Sequence, residues 1–291
     1  MPTLSLLCLM LVAEAPGARQ PPPGWVVRPL PAAGSDEWRC ANLAPDRWTV
    51  TADQGRLAIA PVSREASPVK LPFTPELEIG EAPNTFRGLT AVQPVSDGFL
   101  AGFDRGEFGG GLYWFPSDGA KHLRISAMSA SWFPENVVAI AQEGRAFYAF
   151  QGLAHLGTRR GRVLKVQKEG GRGWVATIAV DLGAAPAAVI EELPGSWLVA
   201  TSDGLTRVTS RGTAQRLWDE KRVAQLYPSS IVRTSDAVVY IGMRAWVVRL
   251  SALNPGPPAV ELLRPASCVG LAASGTGPCR CLPAKVDGGA P

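Results

Sequence analysis

Two histidines, His122 and His155, supply all the imidazole in this chain. A centre held by several histidines is therefore excluded. His122 follows Lys121 in a short strand-like stretch and reads as a solvated edge residue. His155, in QGLAHLGTRRGR, falls in a long connection between strand-like segments. With Glu107 it forms the weak catalytic candidates, an imidazole and a carboxylate of the kinds used in general acid–base transfer. Other carboxylates are plentiful but dispersed: Glu76, Glu78, Glu81, Asp104, Glu135, Glu191 and Glu192 keep no ligand spacing and read singly as surface groups. If several met in space they would suit calcium or acid–base work, so calcium is compatible with the sequence, but the sequence requires no cofactor and assigns no metal ligands. There is no G-x-S-x-G elbow, P-loop or dinucleotide fingerprint. Gly109-Gly110-Gly111 opens no helix and reads as a flexible loop.

Aromatic and arginine residues beside chain reversals are better candidates, for binding rather than catalysis. Arg87, Trp132, Phe133, Tyr227 and Arg244 all fall just before or after predicted strands, with Phe86 beside Arg87. The competing reading for the aromatic members is packing between neighbouring sheets. Arg159, Arg160, Arg162, Lys165, Lys168 and Arg172 would form an anion patch only if they shared a face, and strand alternation scatters those after Arg162.

The elements that must position these residues recur. Short apolar strands begin at Leu112 (LYWF), Val163 (VLKV), Leu205 (LTRV) and Val247 (VVRL), with a weaker LAIA at Leu57. Periods of 42 to 55 residues with several strands per period are the pattern of propeller blades, not of helical solenoids. FLAGF, AFYAF, WLVAT and AVVYIG supply a preceding strand, and Pro134, Pro186 and Pro228 lead into entry strands, where a missing N–H costs least. Ser-Asp-Gly occurs at 96–98, 117–119 and 202–204, at three different joints of the repeat. A catalytic or metal motif would keep one joint, so the tripeptide is turn chemistry. WLVATSDGLTRV resembles repeats of the two-component-regulator type and related β-propellers, a resemblance of repeats that implies the fold and no particular activity. The expected fold is all-β, a propeller of five blades of four antiparallel strands. Six is the alternative, because WVVRPL near Trp25 resembles an outer strand.

The 291 residues suffice for one large β domain, and a formal charge of +4 gives no reason to expect nucleic acid. An apolar run, Leu4 to Ala13, followed by small residues predicts a signal peptide over 1–18 and a periplasmic or extracellular protein. No other stretch is long enough to span a membrane. The remaining Cys40, Cys268, Cys279 and Cys281 are then disulfide candidates with three connectivities open. The close spacing of Cys279 and Cys281 favours different partners for each, which joins Cys40 to the C-terminal segment. The expected organisation is a leader (1–18), a segment helping to close the ring (19–40), the propeller (41–265) and a cysteine-containing tail (266–291). Its expected role is a monomeric, non-catalytic binding module for a protein, small-molecule or carbohydrate ligand on the loop face around the channel. The alternative is a lyase or hydrolase using channel-mouth carboxylates.

Overall fold

The computed structural model describes residues 20–62, 69–78, 81–127, 135–223, 226–253, 256–273 and 279–283. In chain order they form β1 (Trp25–Arg28), α1 (Asp36–Leu43), β2 (Trp48–Asp53), β3 (Arg56–Pro61), β4 (Leu89–Val95), β5 (Gly98–Phe103), β6 (Gly111–Phe115) and β7 (Leu123–Ile125). Then come β8 (Asn136–Glu143), β9 (Ala146–His155), β10 (Thr158–Glu169), β11 (Gly173–Asp181), β12 (Pro186–Leu193), β13 (Ser196–Thr201), β14 (Gly204–Thr209) and β15 (Ala214–Asp219). The last are β16 (Ser230–Arg233), β17 (Val239–Gly242), β18 (Val247–Ser251), β19 (Ala259–Pro265), β20 (Cys268–Ala273) and β21 (Cys279–Pro283).

The protein is a β-propeller. Strands β4 to β7, β8 to β11, β12 to β15 and β16 to β19 are four antiparallel meanders, each strand paired with its sequence neighbour. The entry strands β4, β8, β12 and β16 succeed one another around the axis, and β2 takes the next place, packed against β16 and β17. The hairpin β2–β3 thus begins the fifth blade. Apolar clusters fill the spaces between blades. Leu100, Leu112, Val137, Phe147 and Leu164 pack between the first two meanders, and Tyr148, Phe150, Val163, Trp197 and Val208 between the next two. Val50, Tyr240, Val247 and Leu263 join the fourth meander to β2–β3. On the open side of the first meander Phe103, Tyr113 and Phe115 are covered by Leu71, Phe73 and Phe86.

All three Ser-Asp-Gly stretches are hairpin turns, joining β4 to β5, β6 to β7 and β13 to β14. Glycine serves different ends in them: Gly119 has φ +70, while a Cβ on Gly204 would lie 2.0 Å from the Trp218 carbonyl oxygen. The runs at Leu112, Val163, Leu205 and Val247 lie in the third strands of their blades, and those four residues are fully buried, as the pattern implies. LAIA lies in β3, a second strand, because its hairpin partner β2 is the one facing the axis. WVVR founds no sixth blade. It is β1, paired along the outer edge of β19 from Trp25 with Pro265 to Arg28 with Leu262. The glycine tract is not a loose loop either: a Cβ on Gly110 would lie 1.8 Å from the Phe103 carbonyl oxygen, so the chain there is pressed against β5.

Disulfides join Cys40 to Cys279 and Cys268 to Cys281, so the two neighbouring cysteines have different partners, as their spacing suggests. The first ties α1 to the hairpin β20–β21. Helix α1 was not anticipated. Ser35 caps it, accepting the Trp38 N–H at 3.2 Å, and the Trp38 indole donates to the Arg222 carbonyl at 3.2 Å.

Candidate functional site

Strand direction alternates within each meander, so entry strands begin, and second strands end, on one face of the propeller. A cleft of about 730 Å³ opens there. Four blades contribute to it: Asp104 to Glu107 after β5, Asn136 and Val138 from β8, and Gly152 to His155 at the end of β9. Ala185 to Ala187 at the start of β12, Ser202 after β13 and Tyr227 to Ser229 before β16 complete the wall. A second cleft of about 430 Å³ shares Ala154, His155, Leu156 and Tyr227 with the first and extends to Asn42, Leu43, Thr158, Arg159 and Arg244. Together they make one elongated mouth.

Its walls are braced by hydrogen bonds that follow from local sequence. Asp104 accepts the Gly106 N–H at 2.7 Å, an Asx turn that sets the 3-10 turn Gly106–Phe108. The Asn136 amide donates to the Gly106 carbonyl at 2.8 Å and accepts the Arg105 N–H at 3.1 Å. Burial pushes the Asp104 carboxyl above the usual range, opposed by its bond from Gly106. His155 Nε2 stands 3.6 Å from Glu107 Oε2, a charge contact longer than a good hydrogen bond. Ser202 is different in kind. It is 6% exposed, it lines the larger cleft, and its hydroxyl has no partner among the described residues.

The second cleft is cationic. Tyr227, with φ +51, lays its ring against the Arg244 guanidinium at 4.7 Å. Arg244 donates to the Asn42 carbonyl, which brings the end of α1 to the mouth. Burial depresses the Arg244 pKa, and neighbouring Arg47 depresses it further.

His155, Glu107, Tyr227 and Arg244 are thus brought together. Arg87 stands exposed just before β4, on the same face, and lines neither cleft. Trp132 and Phe133 lie outside the described residues. Phe86 turns inward against Phe103, Tyr113, Phe115 and His122, so packing accounts for it. His122 is no solvated edge residue: its side chain is 6% exposed, and its Nε2 lies 2.9 Å from Glu81, because Glu78, Glu81 and Phe86 close over it. Glu135 is buried too, 2.8 Å from Arg162, 3.2 Å from Arg160 and 2.9 Å from the Gln151 amide. Glu192 is clamped by Arg207 at 2.6 Å. Among the described residues no group of three or more metal-ligating side chains converges.

The basic cluster is dispersed: Lys168 pairs with Asp97 at 2.9 Å and Arg172 with Glu169 at 3.5 Å. Arg159 alone of the six lines a cleft named above. Sequence reasoning missed Ser202, read there only as a turn residue. Its signal was position, since it follows a second strand as Asp104 does.

No protein-family model and no curated protein matches the chain. Solved structures do resemble it. The extracellular domain of BT4673 from B. thetaiotaomicron matches at 12% identity and a TM-score of 0.39, over 61% of this chain and 22% of that one. Virginiamycin B lyase from Staphylococcus aureus matches at 13% identity and a TM-score of 0.37, over 64% of this chain and 59% of that one. Both are β-propellers. The chain therefore spans less than two thirds of either, and so loose a likeness carries no argument. The propeller assignment rests on the meanders themselves.

Proposed function

We propose that the protein is an extracytoplasmic binding module that takes a small molecule or carbohydrate in the mouth of the propeller. The observation that carries this reading is Ser202, a buried hydroxyl at the wall of a cleft with no partner among the described residues. A buried polar group left unpaired costs about 1–3 kcal/mol, and a ligand hydroxyl, amide or carboxylate would recover it. The cleft's size, and a lining that mixes apolar residues with a few polar groups, fit a small-ligand site. Asn136, Asp104 and the Ser229 hydroxyl, which donates to backbone carbonyls, are already engaged in building the walls. The Tyr227 ring and the Ser202 hydroxyl remain as recognition groups.

The two disulfides belong to an oxidising compartment, which supports export. The leader assigned to residues 1–18 lies outside the described residues. No helix among them is long and apolar enough to cross a membrane. We take the working unit to be a monomer.

The test is a thermal-shift screen of monosaccharides, amino acids and short oligosaccharides, followed by calorimetry on any that stabilise the protein. Tyr227→Ala should weaken the best ligand by about 2 kcal/mol, and Ser202→Ala by about 1 kcal/mol, with the unfolding transition nearly unchanged. A ligand indifferent to both substitutions, or protecting only the opposite face from modification, refutes the reading.

A second reading rests on the His155–Glu107 contact facing the same cleft. On it the protein is a lyase or hydrolase in which His155 moves a proton. Turnover that falls at least a hundredfold in His155→Gln while ligand affinity holds would favour it.

A further inference from the structure

The 430 Å³ cleft concentrates positive charge that the protein does not answer. Arg159 and Arg244 line it, and Arg47 lies close enough to Arg244 to depress its pKa; His155, also in the lining, faces Glu107. The segments carrying Arg47 and Arg244 are joined by an antiparallel bridge between those two residues. Among the described residues no carboxylate pairs with Arg47, Arg159 or Arg244. Arginines elsewhere in the protein are answered: Arg162 has Glu135, Arg207 has Glu192 and Arg222 has Glu220.

Arg244 is also held in place. Tyr227 stacks on its guanidinium, the Asn42 carbonyl takes one amino group, and its Nε is buried with no acceptor. A fixed guanidinium with an unused N–H suits a planar or tetrahedral oxyanion, which can take two donors at once. The backbone around it is costly. Leu156 and Tyr227 line the cleft with φ +47 and +51, and Ala245, directly after Arg244, has φ +64. Gln54, Ala237 and Ala252 have such angles elsewhere, and Leu156 with Gly157 makes the tight hairpin between β9 and β10, so the backbone shapes the cleft without singling it out.

We propose that this cleft is an oxyanion subsite, and that the ligand of the propeller mouth carries a carboxylate or phosphate group bound by Arg244 and Arg159 beside His155. The inference rests on the reading of the mouth as a ligand site and adds the ligand's chemical class. Such a ligand would place its anion at the arginine end and its remaining body along Leu156 and Tyr227 towards Ser202.

The test titrates the full protein at low ionic strength with inorganic phosphate and, separately, with acetate, in a buffer free of other oxyanions, by calorimetry. One saturable site per chain is expected. Arg159→Glu, on an exposed side chain, should weaken it at least tenfold with an unchanged unfolding temperature. Arg244→Lys, which keeps the charge and loses the fork and the stack, should weaken it similarly. Arg172→Glu, at a hairpin tip where it meets only Glu169, should leave it unchanged. Preference for phosphate over acetate identifies a phosphate-bearing ligand, and the reverse a carboxylate. Saturable binding that survives Arg159→Glu and Arg244→Lys, or no saturable binding of either anion, overturns the proposal. If neutral ligands still bind and still respond to Tyr227→Ala, only the anion assignment falls. If those too leave Tyr227 and Ser202 indifferent, the site itself falls.

Discussion

A carboxylate's surroundings, not its identity, decide what it does in this protein, and Glu135 shows the case most sharply. Its side chain is 2% exposed and receives Arg160, Arg162 and the Gln151 amide. Nothing near position 135 in the sequence announces this, because the partners come from β9 and β10, the next two strands after β8, and converge only when those strands pair. Removing one member of a buried ion cluster strands the charges that remain. Glu135→Ala should therefore cost about 3 kcal/mol in urea unfolding, the low end of that range because both arginines retain some contact with water. A loss under about 1 kcal/mol would show the arginines to be solvated in its place. The same reasoning explains the misreading of His122, whose cover comes from a segment some 40 residues earlier. His155, Tyr227 and Arg244, by contrast, could be placed with Arg87 on one face from sequence, because each lies at or beside a strand end and strand alternation fixes the face on which strand ends emerge.

At the scale of elements, blades were readable because their third strands carry dense apolar runs at a regular interval, and the hairpins between them announce themselves through Asp-Gly. The turns are not equal, however. The Asp118 carboxylate accepts only the Ala120 N–H, at 3.1 Å, on an exposed turn. Asp203 accepts the Thr201 hydroxyl at 3.1 Å and meets the Arg216 guanidinium from β15, so it locks the second, third and fourth strands of one blade. Asp118→Ala should cost roughly 0.5–1 kcal/mol, and Asp203→Ala about 2 kcal/mol, since hydrogen bonds to charged partners are the stronger kind. Thermal unfolding of both variants, with Arg216→Ala and Asp203→Ala/Arg216→Ala to close the cycle, measures the difference. Equal losses would mean that the ion pair adds nothing to the turn. Helix α1 escaped notice because it has only 8 residues and its apolar positions face the disulfide hairpin as well as the blades. A strand reading of LAIA was right, but its place within the blade depends on which neighbour reaches the axis, and local pattern carries no such information.

At the scale of the molecule, the propeller's ends are held by covalent and ionic ties gathered on α1. Arg264 of β19 is 1% exposed, pairs with Glu37 at 2.7 Å and lies 3.7 Å over the Trp246 ring, so the fourth meander grips the helix directly. Cys40–Cys279 adds a crosslink over 239 residues, whereas Cys268–Cys281 closes only 13. In the chain-entropy model the long loop is worth about 5 kcal/mol and the short one about 3 kcal/mol. Replacing Cys40 and Cys279 with serine should thus destabilise the fold more than replacing Cys268 and Cys281. The consequence for function is more specific. Asn42 and Leu43, at the end of α1, line the arginine cleft, and Arg244 donates to Asn42. The Asp104–Asn136 side of the mouth is braced by its own hydrogen bonds. A looser helix should therefore weaken anion binding before it disturbs the rest of the mouth. In Cys40→Ser/Cys279→Ser, hydrogen exchange should rise in Asp36–Leu43 and phosphate or acetate affinity should fall several-fold, while exchange in β8 and β9 stays at the parent level. Uniformly faster exchange across all blades would instead mean that this disulfide holds the whole ring shut, and that the mouth has no separable half.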